Sequence, residues 1–231
     1  MQSLRKFRLS LIAASALVAV PFTAAQAAAD LDGYWIPYSS AKVGSGDDAL
    51  DFDDGDGWGV KGKFGLSDLF FLSGEYEKNK FDDIGLDGGF LGSSIDSDLR
   101  TEQYRGGLGF RFPETPFYTY GEYIGFESKV KTRTTGPLGS VTVTRENDKA
   151  EGWGGHLGAQ GKVLNDKLTL TTEIGYVDIG DVDGLEVLAG GAVEIIKHFS
   201  IFADYRYTSL AGGNAPDVRL EEARLGARFS F

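Results

Sequence analysis

The 231-residue chain offers two histidines, His156 and His198, and no cysteine for nucleophilic or soft-metal chemistry. His198 follows Lys197 in a stretch that reads as a tight turn, while His156 stands among glycines on an alternating segment. Neither is spaced with Ser and Asp as a nucleophile–base–acid set, so no catalytic residue is assigned and an enzyme is not expected. The run Asp51-Phe-Asp-Asp-Gly-Asp-Gly57 has the oxygen density of a calcium loop. No register of it supplies both the early acids and a Glu at position twelve, so it reads as a solvated acidic face that attracts divalent cations weakly. No metal site and no cofactor is assigned. Other charges recur at every second position: Lys61, Lys63, Glu75, Glu77, Arg105, Arg111, Glu122, Lys162, Glu173, Glu194, Asp204, Arg206, Arg224 and Arg228. Facing a narrow interior, neighbours of opposite sign form a salt-bridge network that fills it. Lining a thin water path instead, the same residues set ion selectivity.

Ten period-2 segments position these charges: residues 33–43, 56–66, 69–79, 99–112, 117–133, 141–163, 167–179, 184–196, 199–208 and 218–231. Tight turns at Ser67-Asp68, Pro113–Pro116, Leu164–Lys167 and Lys197-His198 alternate with longer connectors, among them 44–55, 80–98 and 209–217. Opposite the charges each segment carries an apolar face, such as Trp58, Val60, Phe64 and Leu66, or Leu170, Ile174 and Tyr176. The first segment (Tyr34, Ile36, Tyr38) is the least regular, since Pro37 fits a strand only at a bulge or an edge. Trp58, Tyr76, Tyr104, Tyr123, Trp153, Tyr176 and Tyr207 gather toward one end of the strands. Phe64, Phe70, Phe110, Phe112, Phe117, Phe229 and Phe231 gather toward the other. Two aromatic rings flanking an apolar band, with short turns on one side only, predict an up-and-down antiparallel transmembrane β-barrel. The expected strand number is ten, with eight as the alternative. A soluble sandwich or lipocalin-like barrel also alternates, but it turns its apolar face inward and has no use for two girdles.

The ends of the chain agree. Arg5, Lys6 and Arg8, an apolar stretch from Leu9 to Val20, and Ala25-Gln26-Ala27 read as a signal peptide over 1–27, cleaved after Ala27 or after Ala29. One barrel domain over 28–231 follows. Loss of the leader leaves 20 basic against 34 acidic residues, a net charge of −14 that argues against nucleic acid as a partner. The final strand places Leu225, Phe229 and Phe231 on one face and Arg224 and Arg228 on the other, as in the strand that outer-membrane assembly machinery reads.

With the leader, the alternating strands and the terminal Phe, the chain resembles the small bacterial outer-membrane β-barrel proteins, the OmpX-like and OmpA-barrel-like group. That resemblance implies a Gram-negative outer membrane, both termini periplasmic, and long loops at the cell surface. It implies barrel-assembly machinery and periplasmic chaperones as partners, and a monomer. A structural or surface-interaction role follows, in adhesion, biofilm or envelope integrity, with a narrow porin-like channel for ions or small solutes as the alternative. Lys129, Lys131, Arg133 and Arg145 share the outward parity of Tyr123 and Trp153 above the upper ring. They form a basic stripe suited to lipopolysaccharide phosphates.

Overall fold

Alternation leaves every segment with an oily and a polar face, and closing the strands on themselves gives each face its own solvent. In the computed structural model, residues 29–44, 50–81, 86–88, 93–135, 141–212 and 216–231 are described. They form β1 (Ala29–Val43), β2 (Leu50–Gly65), β3 (Phe70–Phe81), β4 (Leu86–Gly88), β5 (Ser93–Arg111), β6 (Phe117–Thr135), β7 (Val141–Val163), β8 (Leu168–Ile179), β9 (Val182–Ile196), β10 (Phe199–Gly212) and β11 (Val218–Ser230). Chain neighbours other than β3 and β4 pair antiparallel, β1 also pairs with β11, and β3 pairs with β5, so ten strands close into a barrel. Short β4 lies outside that ring and pairs with the far end of β5. The proposed leader, residues 1–27, lies outside the described residues.

Closure sends the apolar face outward. Trp58, Val60, Phe64, Leu108, Leu157, Ile174, Val187 and Leu225 are exposed, while Glu77, Arg105, Glu122, Arg206 and Arg224 are buried. A narrow bore cannot seat a large side chain from every strand, so inward glycines receive the rings of neighbouring strands. Phe71 covers Gly109, Tyr118 covers Gly158, His156 covers Gly175 and Tyr34 covers Gly59, and a Cβ at any of these glycines would overlap the ring. Gly109→Val is therefore expected to destabilise the barrel by about 1–3 kcal/mol. The temperature at which the unboiled protein changes mobility on SDS gels should fall. Gly155→Val, which meets nothing within 4 Å, should leave that temperature unchanged.

Three expectations are corrected. In β1, Tyr34 and Ile36 are buried in the lumen, and Leu31, Trp35 and Tyr38 are exposed. The register slips between Trp35 and Tyr38 against β11, and between Ile36 and Ser39 against β2. A bulge at Pro37, whose ring leaves no N–H for the ladder, reverses the parity along the strand. Second, β2 begins at Leu50, so residues 50–55 of the expected connector 44–55 are strand, with Phe52 buried. Third, β3 runs to Phe81 and β5 begins at Ser93, so much of the expected connector 80–98 is sheet. Asp and Gly are poor strand formers in isolation, but an existing neighbour strand supplies their hydrogen bonds.

β6 and β7 extend furthest. They pair up to Thr135↔Val141, whereas β8 joins β7 only from Gly152↔Ile179. β5 flanks β6 over the same length, up to Ser94↔Thr135, so only the β7 side of this outer sheet lacks a neighbouring strand among the described residues, and residues 141–149 are exposed on both faces.

Candidate functional site: the barrel interior and the outer hairpin

The interior charges form linked layers. Arg105, on β5, donates from Nη1 to Glu122 at 2.9 Å and to Glu186 Oε1 at 2.7 Å, and from Nη2 to Glu186 Oε2 at 2.7 Å. Thr208 Oγ1 also donates to Glu186. Glu75 takes Arg206 Nη2 at 2.6 Å, Arg224 Nη1 at 2.9 Å and the Tyr34 hydroxyl at 2.5 Å. Asp204 joins Arg224 Nε to Lys61 Nζ, the latter at 2.9 Å. Toward the short turns, Arg228 holds Asp32 with two bonds of 2.8 Å, and Glu173 accepts from Lys63, Tyr118 and Tyr120. Glu77 lies within 4 Å of Arg206 and Arg224, and Asn79 Nδ2 bridges Glu77 and Glu222. Apart from Glu222, whose bond is to the Asn79 amide, each of these carboxylates has a cation from another strand within 4 Å, the condition under which buried charge is tolerated.

Three residues assigned to this network from sequence do not join it. Arg111 stacks its guanidinium 4.9 Å from the centre of the Phe71 ring. Lys162 and Glu194 are exposed at the turn-side ends of β7 and β9 and have no ion pair among the described residues. Glu194 sits beside the slip in the β9–β10 register, beyond the depth where opposite walls meet. Conversely, Asp32, Glu186 and Glu222 were passed over, although Glu186 lies between outward Leu185 and Val187 and shares the parity of Glu194.

His156 stacks on Tyr120 at 4.5 Å and 8°, with Nε2 3.0 Å from Glu122 Oε1. Glu122, His156 and Glu186 bring potential metal-ligand atoms within 4.8 Å of one another. Arg105 already lies between the two carboxylates and supplies the cation that the cluster needs. His198 is exposed in its turn with a left-handed φ of 71°.

Toward the long connectors the lumen turns aliphatic. Ile124, Val177, Ile179 and Leu210 form one buried cluster, and Ala41, Phe52, Phe81 and Leu99 another. Ile124, Val177, Ile179, Leu210, Phe81 and Leu99 carry the inward parity of the charges on their strands, whereas Ala41 and Phe52 turn inward only because the β1–β2 register shifts; nothing in the alternation marks any of them as a layer. A cavity of about 90 Å³ lies among the charges and one of about 110 Å³ among the aliphatic residues. Arg105 and Arg206 border both.

On the hairpin, Lys129, Lys131, Arg133 and Arg145 are exposed, and Lys131 and Arg145 are direct cross-strand partners. Acids temper the stripe: Lys129 pairs with Glu102 and Glu127, and Lys131 reaches Asp98 at 3.9 Å. Hydrogen bonds from Lys149 and Lys129 pull the Glu127 carboxyl down to about 2. Phe229 and Phe231, at the end of β11, are exposed and meet edge to face at 4.7 Å.

A family model for the outer membrane protein beta-barrel domain matches residues 10–190. The chain belongs to that family. The barrel is accordingly a bacterial outer-membrane protein. Its fold is similar to the outer membrane protease OmpT of Escherichia coli, at a TM-score of 0.53 and 7% identity over 93% of this chain and 99% of that one. The beta domain of the Bordetella autotransporter BrkA matches at 0.54 and 12%, over 89% and 100% of the two chains. Ail, the attachment invasion locus protein of Yersinia pestis, matches at 0.45 and 16%, over 90% and 100%. No curated protein matches the sequence.

Proposed function

We propose that the barrel is a surface-interaction protein, without enzymatic activity, whose lumen is closed by its ionic network. Its role would lie in adhesion, biofilm formation or envelope integrity. The observation that carries this reading is the layer in which Arg105 and Arg206 separate the two interior cavities, held by Glu75, Glu122 and Glu186. Fixed side chains bonded across the bore leave ions no hydrated path. The histidines fit the same reading, one stacked inside the wall and one in a turn. In planar bilayers the purified barrel is expected to give no discrete conductance. Reproducible unitary currents would replace this reading with that of a narrow ion or solute channel.

In this reading both termini and the short turns face the periplasm, and the β6–β7 hairpin faces the medium. Ala29 and Phe231 are hydrogen-bonded neighbours at the short-turn rim, which suits delivery from the periplasmic side by chaperones and assembly machinery as a monomer. The side-by-side Lys131 and Arg145, with Lys129 and Arg133 on the same face, then stand where lipopolysaccharide phosphates lie. Changing all four to Gln should leave the heat-dependent gel shift intact and reduce the lipopolysaccharide that co-purifies under mild extraction. Undiminished lipid would remove the stripe from the proposal.

A further inference from the structure

β7 continues outward past the last strand that covers its far side. The Gly180 N–H donates to the Glu151 carbonyl at 3.1 Å, and there β8 turns back into β9. From Ala150 out to Val141 no described residue pairs with that side of β7. The Gly180 bond also fixes which backbone groups are open. Along an antiparallel strand each residue turns both its N–H and its C=O to one neighbour, and the next residue turns both to the other. Glu151 turns toward β8, so Val141, Val143, Arg145, Asn147 and Lys149 turn theirs to the open side, while the even positions bond to β6. Natural sheets commonly blunt such an edge with Pro, a bulge or a short strand. Here the register against β6 is unbroken, neither Pro nor Gly occurs in 141–151, and Val141, Thr142, Val143 and Thr144 are all β-branched.

We propose that the open edge of β7 takes an extended segment of a partner polypeptide as an added strand, one that sets acids against Arg145 and Lys149 and bases against Glu146 and Asp148. Backbone bonds to the five odd-numbered residues supply the affinity, and the side chains choose the sequence. Arg145 and Lys149 share the parity of exposed Trp153, and Glu146 and Asp148 share that of buried His156, so the edge is basic on one face and acidic on the other. Opposite charges directly across a strand pair stabilise it and like charges oppose it. The occupant therefore alternates in the complementary sense. A second copy of β7 fits poorly, since two edges overlapped antiparallel over 141–151 bring Glu146 against its own counterpart. The proposal rests on the reading that this hairpin faces the medium, and it is independent of whether the lumen conducts.

The test is amide hydrogen exchange on the full barrel in lipid nanodiscs, with two synthetic peptides of identical composition. KVEKTKETVTV, laid antiparallel from Glu151 to Val141, puts glutamates against Arg145 and Lys149 and lysines against Glu146 and Asp148. KVKETEKTVTV exchanges those charges. Without peptide, the amides of Val141, Val143, Arg145, Asn147 and Lys149 should exchange faster than their even-numbered neighbours. KVEKTKETVTV should slow those five at least tenfold, in a period-two pattern that general shielding does not produce, and KVKETEKTVTV should not. Asn147→Pro removes one open N–H and no bond to β6, so it should keep the heat-dependent gel shift and lose the protection. Three results overturn the proposal: odd-numbered amides already protected in the free barrel, slowing of both parities alike, or no difference between the two peptides. Should the variant fail to fold, the two peptides on the wild-type barrel decide by themselves. Bilayer conductance, which tests the closed lumen, moves with none of these outcomes.

Discussion

Replacing Arg105 by Met should lower the barrel's stability by about 3–5 kcal/mol, among the largest effects of any single substitution in the lumen. The guanidinium makes three of the network's short bonds, two to Glu186 and one to Glu122, and all three side chains are almost wholly buried. Its removal leaves buried Glu122 without an arginine and Glu186 with only Arg206, 3.9 Å away, and the cost is carboxylate desolvation rather than the loss of the attraction alone. That account has a second consequence. Adding Glu122→Gln and Glu186→Gln to Arg105→Met should restore much of the lost stability, because no buried charge is then unpaired. By contrast, Lys78→Gln breaks a half-exposed pair with Glu102 and should change stability by less than about 1 kcal/mol. The measurement is urea unfolding in detergent or lipid, read by tryptophan fluorescence and by the gel shift. A triple variant no more stable than Arg105→Met would show that the arginine acts through packing instead.

Changing Phe229 and Phe231 together to Ser should deplete the outer-membrane fraction of nearly all barrel, leaving degraded or periplasmic protein. Both rings lie on the lipid face at the short-turn rim, meeting at 4.7 Å, and Leu225 precedes them on the same side of β11. Two losses are combined in that phenotype, part of the lower aromatic girdle and the pattern that assembly machinery recognises. Refolding of the variant from urea into detergent separates them. Normal refolding with failure in cells assigns the defect to recognition, whereas failure in both assigns it to the girdle. Normal membrane levels in cells would show that these aromatics serve neither purpose. The same rim carries Ile196, exposed and equally apolar but on β9, and Ile196→Ser should leave insertion intact.

The alternation of side chains was sufficient for the strands, their number and, in nine of them, the face each turns to lipid. The reason is local: a pleated strand presents successive residues to opposite sides, so solvent preference is written at period two. Where that signal is silent, sequence reasoning went astray. In Tyr34-Trp35-Ile36 three apolar residues run together, and no parity distinguishes the faces. The direction was decided by the bulge at Pro37 and by the space above Gly59 that the Tyr34 ring fills. Acidic Asp51–Gly55 reads as loop by composition and became strand because β1 was there to pair with it.

For the interior, parity told which charges point inward but not which of them meet. Arg105 and Glu186 are 81 residues apart and touch across the lumen, and Lys61 and Asp204 are 143 apart. Such pairings depend on strand tilt and stagger around a closed ring, quantities that belong to the whole barrel and to no single strand. Depth along the axis is likewise a global property. It separated Glu186, buried among arginines, from Glu194 of the same strand and parity, which reaches the exposed rim. It also gathered Ile124, Val177, Ile179 and Leu210 into one layer from three strands. Sequence therefore determined the two-sided wall, because each strand meets lipid and lumen one residue at a time. Only the tertiary structure decided what fills the bore, because the opposite wall of a barrel is distant in the chain and near in space.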